Sequence, residues 1–106
     1  MSYKQVIDGK VYNTETASEI CELPCPHYPG DFQYHLTYLY RTKKGAYFLA
    51  GEGGPMSMWV EPACGGGRTS GSGIRVLDAE AARGYAESAN LNEEEMIDAG
   101  FEVEEA

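Results

Sequence analysis

The chain has 106 residues, 42% hydrophobic and 11% aromatic, with three cysteines and a net charge of −9 from 17 acidic and 8 basic side chains. That length and apolar content predict one packed domain over residues 1–106 and argue against a disordered chain. The charge argues against direct binding to nucleic-acid phosphates or to an anionic membrane. No run of about 18 apolar residues exists to span a bilayer, and residues 1–10 lack the apolar core of a secretion signal. Together with an odd number of cysteines, this predicts a cytoplasmic location.

Short apolar runs on either side of Asp8-Gly9 predict a β-hairpin, because glycine takes a positive φ without steric cost. Thr16 and Glu19 have capping-box spacing, which predicts a helix from residue 14 or 16 to residue 22 with Ala17, Ile20 and Cys21 inward. Pro24, Pro26, Pro29 and Gly30 then interrupt regular structure. Over residues 32–41, Phe32, Tyr34, Leu36, Tyr38 and Tyr40 alternate with Gln33, His35, Thr37 and Arg41, and Leu39 breaks the pattern. This predicts a strand that buries its even-numbered, aromatic face. Thr42-Lys43-Lys44-Gly45 makes a tight connection to a return strand over residues 46–50.

Eight of the thirteen glycines fall in residues 51–73, around Met56, Met58 and Trp59, which are expected to plug the edge of the core. Residues 74–77 predict a last short strand. Asp78 is placed to cap a helix to about residue 88, with Ala82, Tyr85, Ala86 and Ala89 inward. Asn92 and Glu95 repeat the cap spacing for a second helix, with Met96 and Ile97 inward and Gly100 ending it. The expected fold class is α+β: a small antiparallel sheet centred on a hairpin over residues 32–50, with helices packed on one face.

Residue types that carry chemistry are sparse. Cys21, Cys25, His27, His35 and Cys64 include a C-x3-C-x-H run of zinc-ligand types, but no second pair follows at ligand spacing. A buried Cys21 with incidental loop residues explains them as well. A cysteine nucleophile assisted by His27 or His35 lacks any feature that would lower the thiol pKa. The Gly65-to-Gly73 segment lacks the Lys-Ser/Thr ending of a phosphate loop. No catalytic residue, cofactor or metal site is therefore expected. Tyr28 and Tyr47, outside the aromatic stripe, are candidate contact residues.

Charge is segregated along the chain. Residues 1–77 hold seven acids and seven bases; residues 78–106 hold ten acids and only Arg83. A solvated, solubilising face is one explanation. The other is mimicry of duplex DNA, which carries one negative charge per ~1.7 Å of axis. Carboxylates held on capped helices would present a comparable array to a basic groove. The candidate partner-binding residues are Glu80, Glu87, Glu93, Glu94, Glu95, Asp98, Glu102, Glu104 and Glu105, with Arg83 spaced to brace Glu80 or Glu87.

The stretch Leu39-Tyr40-Arg41-Thr42-Lys43-Lys44-Gly45-Ala46-Tyr47-Phe48-Leu49-Ala50-Gly51-Glu52-Gly53-Gly54-Pro55-Met56-Ser57 resembles a group of small proteins from bacterial mobile elements, phages among them. So does Tyr12-Asn13-Thr14-Glu15-Thr16-Ala17 together with the acidic helical end. The likeness runs over residues 11–97. The group includes anti-CRISPR inhibitors of type I systems, and the chain resembles an inhibitor of type I-C. The resemblance implies a non-enzymatic protein of the bacterial host cytoplasm. Its partners would be Cas proteins of a type I surveillance complex, bound at their basic DNA-binding surface in place of target duplex. The shared motif is structural, so no catalytic residue is carried over. A protein-binding adaptor using the tyrosines of residues 32–40 and the glycine loops, or a small zinc protein, are the other readings.

Overall fold

The computed structural model describes residues 3–28, 30–59, 61–62, 67–69 and 71–104. In chain order the strands are β1 (Lys4–Ile7), β2 (Lys10–Asn13), β3 (Ser18–Glu22), β4 (His35–Arg41), β5 (Tyr47–Gly53), β6 (Glu61–Pro62), β7 (Arg68–Thr69) and β8 (Gly71–Leu77). Helices α1 (Ala79–Ser88) and α2 (Glu93–Asp98) follow. Strands β3-β4-β5-β8, in that order, form an antiparallel sheet, while β1 with β2 and β6 with β7 form separate pairs. The arrangement is α+β, with both helices against one face of the four-stranded sheet.

The β1–β2 hairpin forms as its turn chemistry requires. Asp8 and Gly9 both have positive φ, 50° and 75°, the paired left-handed geometry whose twist matches flanking strands. The β4–β5 hairpin runs in register from Arg41↔Tyr47 to His35↔Gly53, and Gly45 closes its turn by donating to the Thr42 carbonyl at 3.0 Å.

Both faces of this central pair are buried. On the odd-numbered face Leu39, Tyr47 and Leu49 meet Trp59, Ala82, Ala86, Met96, Ala99 and Phe101. On the even-numbered face Tyr40, Phe48 and Ala50 lie under Tyr12, with Tyr3 and Ile7 beside it. Tyr12 meets the Phe48 ring edge-on at 5.6 Å, and Tyr40 stacks on Phe48 at 5.2 Å. The helices therefore cover the odd face, and the aromatic even face is covered by the β1–β2 hairpin instead. Leu39, out of pattern in the alternation, belongs to the deeper core. A strand buried on both faces does not alternate cleanly, which is why periodicity alone picks out one face. The strand also starts later than its pattern: Phe32 precedes it and is 65% exposed.

Residues 18–22 are a strand, where cap spacing predicts a helix. Thr16 caps nothing. The Asn13 side chain accepts from the Glu15 N–H at 2.9 Å, and the Asn13 carbonyl accepts from Thr16 and Ala17. These bonds turn the chain out of β2 and deliver it to the open edge of β4, with Ser18↔Arg41 and Glu22↔Tyr38 in register. A helix this short has little stability of its own, so the ladder decides. An irregularity between Glu19 and Cys21 lets Ile20 and Cys21 both pack against the helix-side core.

The helices start and stop on schedule. Asp78 accepts from the Ala81 N–H at 2.7 Å. Asn92 and Glu95 form a complete capping box at 2.8 and 3.1 Å. Both C-termini close in the same hydrogen-bond pattern: Leu91 donates to Ala86 and Asn90 to Glu87, then Phe101 to Met96 and Gly100 to Ile97. Two inward expectations fail. Ile97 is 54% exposed, because Met96, Ala99 and Phe101 fill the space beneath α2. Met56 is 57% exposed, and Trp59 with Met58 closes the core edge without it.

Candidate functional site

The acidic surface is built on α1 and α2. At about 100° per residue, Glu80 and Glu87 fall on one stripe of α1, opposite the buried Ala82 and Ala86. On α2 the inward direction is set by Met96 and Ala99, so Glu94 and Asp98 point most directly outward, flanked by Glu93 and Glu95. Glu80, Glu87, Glu93, Glu94, Glu95, Asp98, Glu102 and Glu104 are all exposed. Glu105 lies outside the described residues. Acids in each first turn sit beside the positive end of a helix dipole, an arrangement that supports the helix.

The carboxylates are not equivalent. Glu95 accepts from the Asn92 N–H and completes the cap of α2. Glu95 and Asp98 also line a cleft of about 410 Å³ with Glu19, Arg41 and Lys43, whose cations partly offset their field. Glu80, Glu87, Glu93 and Glu94 lie outside that cleft. Arg83 braces neither Glu80 nor Glu87: among the described residues the one base–carboxylate contact is that of His27 Nδ1 with Asp31, at 4.0 Å.

The described cysteines and histidines do not assemble into a ligand set. The Cys21 thiol is half-buried, and burial, followed by the charges of Glu19 and Glu95, pushes its pKa up. That disfavours the thiolate needed for attack or metal ligation. Cys25 donates to the His27 carbonyl at 3.9 Å. His35 Nδ1 lies 2.9 Å from Thr37 Oγ1, and burial, then His27, lowers its pKa. Among the described residues no three His, Cys, Asp or Glu side chains could share a metal; Cys64 lies outside them.

The two tyrosines singled out as contact residues divide. Tyr28 is 83% exposed. Tyr47 is core: it stacks on Phe101 at 5.0 Å and donates to the Ala99 carbonyl at 2.8 Å, tying β5 to the end of α2.

Sequence reasoning passed over Thr37, whose hydroxyl meets three partners, and a groove at the end of the sheet formed by residues from three segments. Among the described residues no helix is long and apolar enough to cross a membrane. Compared with known proteins, the chain matches no family model, and no curated protein or solved structure matches it.

Proposed function

We propose that this chain is a non-enzymatic anti-CRISPR inhibitor whose acidic helices occupy the basic DNA-binding surface of a type I surveillance complex and so keep target duplex out. The observation that carries this reading is the placement of exposed carboxylates on two helices capped at both ends, beside a remainder with no net charge. Helices of ten and six residues rise about 15 and 9 Å, so six of the nine candidate acids are spread along fixed lines, and the others follow α2 in the chain. A solubilising face has no need of such order. The resemblance of residues 11–97 to type I inhibitors points the same way.

The mechanism is electrostatic substitution. A basic groove attracts the array from a distance, and many exposed pairs, each contributing about 0.2–1 kcal/mol, then share the contact. Glu80, Glu87, Glu93 and Glu94 carry most of it, because Glu95 is engaged in the cap and the field of Asp98 is partly offset.

A mobility-shift assay with a purified type I surveillance complex and its target duplex tests this. The chain in excess is expected to abolish the shifted band, and the triple variant Glu87→Lys/Glu93→Lys/Glu94→Lys to restore it. Single changes to Gln should have little effect. A band that persists with the chain in excess overturns DNA mimicry for that complex.

A further inference from the structure

The even-numbered face of the four-stranded sheet is roofed along only part of its length. Strands β1 and β2 have four residues each and reach about 13 Å, whereas seven-residue β4, β5 and β8 reach about 23 Å. The hairpin covers Tyr40, Phe48, Ala50 and Ile74. Beyond it the same face continues through Leu36, Glu52 and Ser72, which are aligned across three strands. There the fold leaves an open groove of about 550 Å³ lined by Asp31, Phe32, Tyr34, Glu52, Pro55 and Ser72 among others.

This groove is ordered by bonds from backbone N–H groups. Gln33 donates to the Asp31 carboxylate at 2.8 Å, Gly54 to the Tyr34 carbonyl at 2.9 Å and Met56 to the Phe32 carbonyl at 2.8 Å. The aromatic wall is thereby stitched to the turn after β5. The approach is close enough that a Cβ on Gly54 would stand 2.6 Å from the Phe32 oxygen. Phe32, Met56, whose N–H binds the Phe32 carbonyl, and Tyr28, whose carbonyl accepts from Asp31, are large side chains left in solvent on adjoining stretches of backbone. A grouped apolar patch of this kind marks a contact surface, whereas a lone exposed one does not.

The chemistry selects an occupant. Aromatic rings stand beside two carboxylates, Asp31 and Glu52, and none of the described lining residues is Lys or Arg. A guanidinium suits this combination: it stacks flat on an aromatic face and offers a rigid fork of N–H donors to a carboxylate. An ammonium is more strongly hydrated and lacks the flat face. We propose that the groove receives an arginine side chain from a protein partner, with its guanidinium over Phe32 and paired to Glu52. The groove opens on the sheet face opposite the helices, so it is a second contact surface and stands whether or not the acidic helices bind as inferred above.

The test is an amide NMR titration of the isotopically labelled chain with the peptide acetyl-Gly-Arg-Gly-amide, and separately with its lysine counterpart. Saturable shifts are expected at residues 30–34, 52–55 and 71–72, with a midpoint about threefold or more lower for arginine. Phe32→Ala, at an exposed position, and Glu52→Gln, nearly the same shape, should each raise the arginine midpoint by about threefold or more with the remaining spectrum unchanged. Shifts confined to residues 78–104, equal midpoints for the two peptides, no shifts at all, or unaltered midpoints in both variants each overturn the proposal.

Discussion

Thr37 is buried in the middle of β4, and its single oxygen serves three neighbours. Trp59 Nε1–H donates to it at 2.7 Å, His35 Nδ1 lies at 2.9 Å and the Met58 sulfur at 3.7 Å. A hydroxyl has one proton and two lone pairs, so the indole takes a lone pair and a neutral imidazole can accept the proton. Thr37→Val keeps the shape but leaves the Trp59 N–H unsatisfied, for an expected loss of about 1–3 kcal/mol. Denaturant unfolding followed by fluorescence reports this directly, since Trp59 is the only tryptophan. The same cluster sets a pH dependence. The folded pKa of His35 lies below its ordinary 6.5, so as pH falls the unfolded chain takes up this proton first. The stability that His35 contributes is complete above about pH 6.5 and is lost below it, until the lowered folded pKa is passed. Comparison of unfolding midpoints at about pH 7.5 and about pH 5.5 should show a smaller drop in His35→Gln than in the parent chain. An equal drop in both would remove His35 from the account.

Two glycines in the helical region predict opposite outcomes from one substitution. Gly100 ends α2 with φ at 94°, and an added Cβ would stand 2.9 Å from Arg41 Cζ and 3.0 Å from the Tyr47 hydroxyl. Gly100→Ala combines left-handed strain with crowding, for an expected loss of about 2 kcal/mol or more. Gly84, within α1, has open space around its Cβ position. Gly84→Ala should therefore stabilise by about 0.5–1 kcal/mol. Thermal melts of the two variants would expose a misplaced α2 terminus if both moved the same way.

Elements whose determinants are local were legible in the sequence. Asp8-Gly9, the Asp78 cap, the Asn92–Glu95 box and Gly100 each act within a few residues, and each lies where its chemistry requires. Strand β3 was not legible, because what decides it is the unpaired edge of β4, about twenty residues away in the chain. Periodicity found the buried even-numbered face and missed the odd-numbered one for the same kind of reason: β4 has a cover on both sides, and the covers come from opposite ends of the chain. The exposure of Ile97 follows from Phe101 reaching back under α2, a tertiary fact. The acidic residues were visible as composition, but the engagement of Glu95 and the offset of Asp98 needed the fold. The groove between Phe32 and Glu52 joins segments that no sequence spacing relates.

At the scale of the molecule, charge divides the chain into a neutral scaffold and a C-terminal third holding the whole excess of −9. Like charges on neighbouring helices repel, and salt screens them over a Debye length of about 10 Å at 0.1 M. The isolated chain is therefore expected to melt at a higher temperature as sodium chloride is raised from about 0.02 to about 0.3 M. Capture of a basic partner through the same surface should weaken over that range. Opposite signs of salt dependence for melting and binding would attribute both to this surface; a binding curve indifferent to salt would detach the acids from the interaction.

The packing of the two helices has a further consequence. Beneath them the buried positions are held largely by alanines, Ala82, Ala86 and Ala99, with Met96 and Phe101 as the large side chains. Apart from Glu95, which completes the cap of α2, the exposed acids of α1 and α2 belong to no core cluster, so their identities are uncoupled from the scaffold. Such a surface is free to diverge at the rate its partner changes, while the interior strands stay under the constraint of fit. Kinship among chains of this architecture would then be read from β4 and β5, and differences in what they bind from the helices.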